Sequence, residues 1–170
     1  MAILLTHRFL SAADVPAQFN LLFIASDSSI NGTAAEDQND NEVDIEGVLQ
    51  PYLSTSGDPT VFYFDSDGRL ATNSTLSGNE RIAYTLYPNL TSSLRFNNVD
   101  NISGGMGYPQ FTVGDDGLLN AGSNLTWAWC PDDFNVGNSY YLPGSVTLGS
   151  IAKGCEKIDG LKVVPASSSS

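Results

Sequence analysis

The clearest strand pattern of the chain lies in residues 109–164, which read PQFTVGDDGLLNAGSNLTWAWCPDDFNVGNSYYLPGSVTLGSIAKGCEKIDGLKVV. Polar and apolar residues alternate over Gln110–Val113, Asp115-Asp116-Gly117 follows, and Leu118-Leu119 resumes the apolar run. Glycine readily takes the positive φ that a short hairpin loop needs, so this order of residues predicts a β-hairpin.

The next part of this stretch predicts a strand that carries both tryptophans. Leu125, Trp127 and Trp129 are spaced two apart, so they share one face of a strand. Cys130 lies on the opposite side at the end of that strand, and Cys155 lies where it could tie the strand to the closing segment of the chain. The two cysteines allow one disulfide or two free thiols, and the compartment decides between them.

The same hairpin pattern occurs earlier in the chain. Thr60–Phe64 is rich in β-branched and aromatic residues, Asp65–Gly68 supplies a turn, and Arg69–Ala71 returns. Short strands with Gly and Asp turns, and no amphipathic helix of useful length, predict an all-β fold. We expect a compact antiparallel barrel or sandwich; the repeated hairpin leaves a β-trefoil-like arrangement open.

The sequence predicts one domain with short flanking segments. Residues 1–18 are poorly patterned, residues 19–164 form the single all-β domain, and residues 165–170 are a Ser-rich tail. The domain starts with a strand, since Phe19–Ala25 is a continuous apolar run. We assign residues 27–40 to a loop and interpret Val43–Leu49 as a weak edge strand that carries its charges outward.

The charge of the chain excludes some partners. It has 170 residues and a formal net charge of -12. Such an acidic surface repels nucleic acid and anionic lipid, so neither is expected as a partner. No apolar run is long enough to span a bilayer, so no membrane span is expected.

Five N-glycosylation sequons point to the secretory pathway, and they exceed the number that composition predicts by chance. In an oxidising compartment the two cysteines would form a disulfide worth about 2–4 kcal/mol. The acceptor asparagines of the sequons are Asn31, Asn73, Asn89, Asn101 and Asn124.

The sequence offers no candidate catalytic residue, metal ligand set or cofactor site. His7 is the one histidine, and a zinc site needs three or four His, Cys or carboxylate ligands. Residues 37–41 resemble the start of an EF-hand loop, but Glu42 occupies the position of its glycine. The aspartates in turns are explained by side-chain bonding to the backbone. We therefore expect no enzyme, no metal and no cofactor.

Aromatic side chains are the candidate carbohydrate contacts. Trp127 and Trp129 could stack on sugars, but alternation beside a possible disulfide favours a core position for both. Tyr140 and Tyr141 are adjacent, so on a strand at least one ring must face solvent. These two tyrosines are the better candidates for a glycan contact.

The second half of the chain carries a characteristic order of motifs: Phe111, Asp115-Asp116-Gly117, Leu119, Cys130-Pro131 and Gly154-Cys155. In this order the chain resembles the PhiA-type cell-wall glycoproteins of filamentous fungi, most clearly over residues 109–164. The acidic residues 36–46 look like an insertion relative to that family, and this chain has fewer cysteines than the family leads us to expect.

This resemblance implies an extracellular structural glycoprotein and supplies no catalytic residues. We therefore expect a secreted, N-glycosylated structural protein of a fungal cell wall or extracellular matrix. Its expected partners are wall polysaccharides, other wall glycoproteins or copies of itself, with Val43–Leu49 as a candidate edge for strand addition. The alternative is a lectin-like carbohydrate-binding module with an aromatic-lined glycan site.

Overall fold

The structure is a computed structural model that describes residues 15–39, 47–52, 58–74, 77–86, 91–102, 104, 106–122, 125–131 and 144–166. Within these ranges the chain forms fourteen strands and one short 3-10 helix. The strands are β1 (Phe19–Ile24), β2 (Ala35–Asn39), β3 (Gly47–Pro51), β4 (Phe62–Phe64), β5 (Leu70–Asn73), β6 (Glu80–Tyr84), β7 (Ser92–Ser93), β8 (Arg95–Asn97), β9 (Thr112–Val113), β10 (Leu119–Asn120), β11 (Thr126–Cys130), β12 (Ser145–Gly149), β13 (Glu156–Lys157) and β14 (Gly160–Pro165), and the helix is Val99–Asn101.

The all-β class predicted from the sequence is confirmed. Eight strands form one antiparallel sheet in the order β14-β1-β4-β5-β6-β8-β3-β2, here called the large sheet. It curls strongly into a half-barrel, and a bridge between Leu22 and Ala34 brings the β2 end back toward β1. The small sheet has the order β13-β11-β12-β7, and β9 and β10 pair with each other.

The first and last strands of the domain are neighbours. β1 pairs with β14 along its whole length, from Phe19 opposite Pro165 to Ile24 opposite Gly160. Phe19, Leu21 and Phe23 are fully buried, whereas Leu22 is half-buried. The predicted strand thus forms, but the main core packs on one of its faces, whereas its continuous apolar run predicted burial on both faces.

Both predicted hairpins are present, and each turns at a glycine with positive φ. Gly68 has a φ of 76° and Gly117 a φ of 77°. Phe62 pairs with Thr72 in the first hairpin, and Val113 pairs with Leu119 in the second. The first hairpin belongs to the large sheet, and the second forms a two-stranded unit of its own.

Two predictions between residues 27 and 49 are wrong. The predicted loop contains a strand, β2, which is mostly polar in sequence although Ala35 is fully buried and the Asp37 side chain is only 4% exposed. Gly47–Leu49 is not an edge, because β3 pairs with β2 on one side and with β8 on the other. The rest of the predicted edge strand, residues 43–46, lies outside the described residues.

The core lies between the curled large sheet and one face of the small sheet. Phe62 and Phe96 meet inside the large sheet with ring centroids 5.7 Å apart, and Val146 and Leu148 come from the small sheet. Leu94 connects the two sheets, because its amide donates to Val146 and its carbonyl accepts from Leu49. This core holds the strand ends that carry the candidate sites.

Candidate functional site

The predicted cysteine pair forms a disulfide. Cys130 at the end of β11 is bonded to Cys155, and their Cα atoms lie 4.3 Å apart. β13 follows Cys155 directly and pairs with β11, with Trp129 opposite Glu156. The disulfide and this pairing therefore hold the same two segments together, and the half-cystine Cys130 is fully buried.

The small sheet has an unusual polar face on the side of the disulfide. Ser93, Ser145 and Thr147 are fully buried, and the hydroxyl oxygens of Ser93 and Ser145 lie 2.8 Å apart. The Thr147 hydroxyl donates to the Ala128 carbonyl at 3.5 Å. Because buried hydroxyls are costly without partners, these hydrogen bonds stabilise the sheet around the disulfide.

Three sequon asparagines lie on the described surface, and all three are exposed. Asn31 lies in the turn after β1, and its Oδ1 accepts from the Ala25 amide at 3.2 Å. Asn73 ends β5, and its Oδ1 accepts from the Tyr63 hydroxyl at 3.0 Å. Asn101 ends the 3-10 helix and donates through Nδ2 to Asn97 at 3.2 Å.

These hydrogen bonds separate the three asparagines chemically. A glycan is attached to Nδ2, the amide nitrogen of asparagine. A hydrogen bond to Oδ1 therefore fixes the side chain and leaves Nδ2 free for the glycan. Asn31 and Asn73 are held in this way, whereas Asn101 uses its Nδ2. Asn89 and Asn124 lie outside the described residues.

The tryptophans pack into the core. Trp127 is 6% exposed, stacks on Phe111 with ring centroids 6.2 Å apart, and donates its Nε1 proton to the Leu119 carbonyl at 3.1 Å. Trp129 is half-buried and meets Phe23 edge to face at 6.5 Å. Trp127 therefore presents no face to a sugar. The predicted glycan contacts Tyr140 and Tyr141 lie outside the described residues.

The aspartates of the first hairpin shape its turn, as the sequence predicted. Asp65 Oδ1 accepts from the amides of Asp67 and Arg69 at 2.9 and 2.8 Å, and Oδ2 accepts from Arg69 Nε at 2.7 Å. Burial acts to raise the pKa of Asp65, but the hydrogen bonds and the charge of Arg69 outweigh it and lower the pKa. Asp65 therefore stays charged and keeps the turn closed.

A group of polar and aromatic residues lies on the side of the large sheet away from the main core. Tyr63 pairs with Ala71 across the β4–β5 hairpin, which places Asn73 on the same face. Asn73 pairs in turn with Glu80 of β6. The Tyr63 hydroxyl lies 3.0 Å from Asn73 Oδ1 and 2.9 Å from Glu80 Oε2. We call Tyr63, Asn73 and Glu80 the Tyr63 face.

Charged and aromatic side chains flank the Tyr63 face at the turn. The Arg69 guanidinium lies 5.6 Å from the centroid of the Tyr108 ring, a distance at which a cation is attracted to an aromatic face. Desolvation raises the pKa of Tyr63, and the hydrogen bond to Glu80 and the charges of Glu80 and Asp65 raise it further. The phenol thus remains protonated and acts as a donor.

No motif in the sequence marks Tyr63, Glu80, Arg69 or Tyr108 as site residues. The register of the β4–β5 hairpin could have identified Tyr63 from the sequence. With the turn at Asp65–Gly68, residue 63 faces residue 71, and residue 73 is its diagonal neighbour on the same face. An aromatic residue beside a sequon was therefore readable from hairpin geometry, whereas the placement of Tyr108 depends on tertiary structure.

A buried ion pair lies inside the large sheet. Arg81 Nη1 of β6 lies 2.9 Å from Asp37 Oδ2 of β2, and their side chains are 2% and 4% exposed. Arg81 Nη2 also donates to the Phe96 carbonyl at 3.0 Å. A Cβ at Gly47 would clash with the Asp37 carboxylate and the Arg81 guanidinium, so the ion pair needs glycine at this position. The Asp37 side chain therefore faces the interior, where its role is to pair with Arg81 within the fold.

The described residues contain neither a metal-binding cluster nor a membrane-spanning helix. No group of three or more His, Cys, Asp or Glu side chains in the described ranges is placed to hold a metal ion. No helix within those ranges is long and apolar enough to cross a membrane. Comparison of the chain with protein-family models, with curated proteins and with solved structures finds no match.

Proposed function

We propose that this chain is a secreted, N-glycosylated structural protein of a fungal cell wall or extracellular matrix. The observation that carries the proposal is the exposure of three sequon asparagines, Asn31, Asn73 and Asn101, on a domain closed by a disulfide. Glycosylation of Asn-X-Ser/Thr needs surface positions in a secreted chain. Disulfides such as Cys130–Cys155 form and persist in the same oxidising compartments.

The physical role that follows is display of glycans on a stable scaffold. The exposed asparagines lie on different elements: the turn after β1, the end of β5 and the end of the 3-10 helix. Glycans there would project from separate places around an acidic surface. Such a surface would associate with wall polysaccharides or other wall glycoproteins through the glycans. The resemblance to PhiA-type proteins supports the wall as the location.

Strand addition at β3 does not contribute to this role. Its described residues pair on both sides, so they offer no free ladder to another chain. Self-association, if it occurs, would therefore use glycans or residues elsewhere. This separates the proposed display role from the β-augmentation that the sequence suggested.

Trp127 is buried in the core, so the lectin-like alternative now depends on Tyr140, Tyr141 and the half-buried Trp129. A lectin site needs stacking faces that a sugar can reach. The alternative keeps the same compartment and fold, so binding experiments separate it from the proposed function.

The test uses the chain secreted from a eukaryotic host. Glycopeptide mass spectrometry should find glycans on the exposed sequons, and non-reducing analysis should find Cys130 and Cys155 joined. Binding is then measured against chitin, β-glucan, mannan and a soluble glycan array, with and without calcium. The proposal expects no saturable binding to a single soluble glycan.

Two results would overturn the proposal. The first is a secreted chain that carries no glycan at any sequon. The second is saturable binding to one glycan that a Tyr140→Ala/Tyr141→Ala double variant loses while its thermal unfolding is unchanged. A Tyr52→Ala variant, which removes a tyrosine elsewhere in the chain, serves as the matched control for the binding measurement.

A further inference from the structure

We propose that the Tyr63 face is the docking place for the first sugar of a glycan attached to Asn73. The inference rests on the proposed glycosylation and names the contact that this one sequon makes. The Tyr63 ring would support the apolar side of the sugar, and the Glu80 carboxylate would accept from a sugar hydroxyl. Asn31 and Asn101 have no described aromatic hydrogen-bond partner of this kind.

The Tyr63 face fixes the orientation of the Asn73 amide. The Tyr63 hydroxyl shares its single proton between two acceptors, Asn73 Oδ1 at 3.0 Å and Glu80 Oε2 at 2.9 Å, and this shared hydrogen bond holds the Asn73 oxygen. Because the amide group is planar, fixing the oxygen restricts where the nitrogen points. Attachment replaces one Nδ2–H by a bond to the anomeric carbon of the sugar, and a lipid-linked diphosphate is the leaving group. The hydrogen bond through Oδ1 is compatible with that product.

A sugar attached to Asn73 would lie close to the Tyr63 face from the start. A sugar bonded to Asn73 begins next to the Tyr63 hydroxyl, so its contact with this face is intramolecular. An intramolecular contact avoids the translational cost of association and forms at a high effective concentration. A face that would bind a free monosaccharide weakly is therefore sufficient for a sugar that is already tethered there.

The Tyr63 face has the chemical composition that suits a sugar. Protein sites for sugars combine an aromatic surface with a few polar groups that fix orientation. Tyr63 is half-buried, and Glu80 is exposed beside it. The carboxylate is a strong acceptor for hydroxyl groups, and the raised pKa of Tyr63 keeps its hydroxyl a donor. Arg69 stays with Asp65 and Tyr108 and holds the adjoining turn.

The experiment measures whether the Asn73 glycan and Tyr63 stabilise the fold together. Thr75→Ala removes this sequon but keeps Asn73 itself. It is compared with the unaltered chain in two backgrounds, native and Tyr63→Ser, all secreted from the same eukaryotic host. We expect the glycan to raise the Tm by about 2–4 °C in the native background. In the Tyr63→Ser background we expect that rise to disappear.

A matched control and a second variant complete the design. Ser103→Ala removes the Asn101 sequon, and its effect on Tm should be the same in both backgrounds. Glu80→Gln, at an exposed position, should reduce the Asn73 glycan effect without abolishing folding. If Tyr63→Ser does not fold, the Glu80→Gln background still decides the question. Trimming the glycan to its first sugar should preserve the rise in Tm.

The outcomes separate this inference from the proposed function. An equal effect of the Asn73 glycan in the native, Tyr63→Ser and Glu80→Gln backgrounds would overturn the docking role and leave glycosylation standing. An unoccupied Asn73 in a chain whose other sequons carry glycans would do the same. A chain with no glycan at all would overturn the proposed function as well.

Discussion

The β4–β5 and β9–β10 hairpins turn through the same backbone geometry. In the first, the Asp65 amide donates to the Arg69 carbonyl and the Gly68 amide donates to the Asp65 carbonyl, both at 3.0 Å. In the second, Gly114 takes the place of Asp65, and the equivalent bonds to Leu118 and from Gly117 are both 2.9 Å. The two turns share an aspartate and a glycine at their third and fourth positions, and they differ at the first, second and fifth.

The differences at the first and fifth positions change what holds each hairpin. Asp65 secures its own turn with hydrogen bonds from two amides and an ion pair to Arg69. Gly114 has no side chain, and its hairpin is held by the rest of the domain. β14 donates from the Val163 amide to the Gly117 carbonyl at 2.9 Å, and Trp127 donates to Leu119. One hairpin is thus locally stabilised, and the other depends on tertiary contacts.

The largest expected effect is on the second hairpin, through Trp127→Ala. This change removes a buried ring and a hydrogen-bond donor, and we expect a loss of about 3–5 kcal/mol in the free energy of unfolding. Denaturant unfolding measures the loss. Amide exchange should accelerate at Leu119 more than at Leu70 of the first hairpin. Trp129→Ala, at a half-buried site, should cost less, and equal losses for the two variants would contradict the comparison.

The next effect is on the first hairpin, through Asp65→Ala. The variant leaves two turn amides and Arg69 without their shared acceptor, so we expect a loss of about 2–3 kcal/mol. Asp116→Ala is the matched control. Asp116 is exposed and accepts from the Leu118 amide alone at 3.0 Å, so its loss should be about 0.5–1 kcal/mol. Similar losses for both variants would show that Asp65 does not secure its turn.

A third test asks whether the two backbones are equivalent. Gly68→Ala and Gly117→Ala each force an L-residue into the left-handed region, at a cost of about 1–2 kcal/mol. A Cβ at Gly68 would meet nothing within 4 Å, and one at Gly117 would meet only Lys162 Cε at 3.9 Å. Space is therefore available in both turns, and chemical denaturation should give equal losses. A clear inequality would refute the equivalence.

The smallest effect is a pH dependence confined to the first hairpin. The pKa of Asp65 is lowered from its ordinary value of 3.8, so its contribution is present above that pH and is lost as the pH falls through the lowered pKa. The stability difference between the native chain and Asp65→Asn should therefore be constant near neutral pH. It should shrink as the pH falls below about 4. A difference that grows on acidification would have the wrong sign.

The hairpins and the all-β class could be predicted because local chemistry determines them, and the disulfide pairing could be predicted because the chain has only two cysteines. Gly68 and Gly117 provide the positive φ of their turns, and alternation identified the strand that carries Trp127. The prediction that turn aspartates bond to the backbone is confirmed at Asp65 and Asp116. These features depend on neighbours in sequence or on the strong alternation of a buried strand.

The failures lie where tertiary structure overrides composition. β2 reads AEDQN and has the polarity of a loop, yet Ala35 and Asp37 face the interior because the sheet curls over them. No local sequence pattern predicts that Arg81 of β6 forms an ion pair with Asp37. The same applies to the ring of Tyr108 beside Arg69. The Tyr63 face is intermediate, since the register of the β4–β5 hairpin predicts that Tyr63 and Asn73 share a face, whereas Glu80 is added by the pairing of β5 with β6.

The pairing of β1 with β14 has a mechanical consequence. Because the strands are antiparallel, Phe19 and Pro165 lie side by side, and the amide just beyond, Ala166, donates to the Gln18 carbonyl at 3.2 Å. Tension applied between these two ends would load the strand pair one hydrogen bond at a time, as a zipper is opened, instead of shearing all of them together. The domain would yield early as a link in a stretched chain.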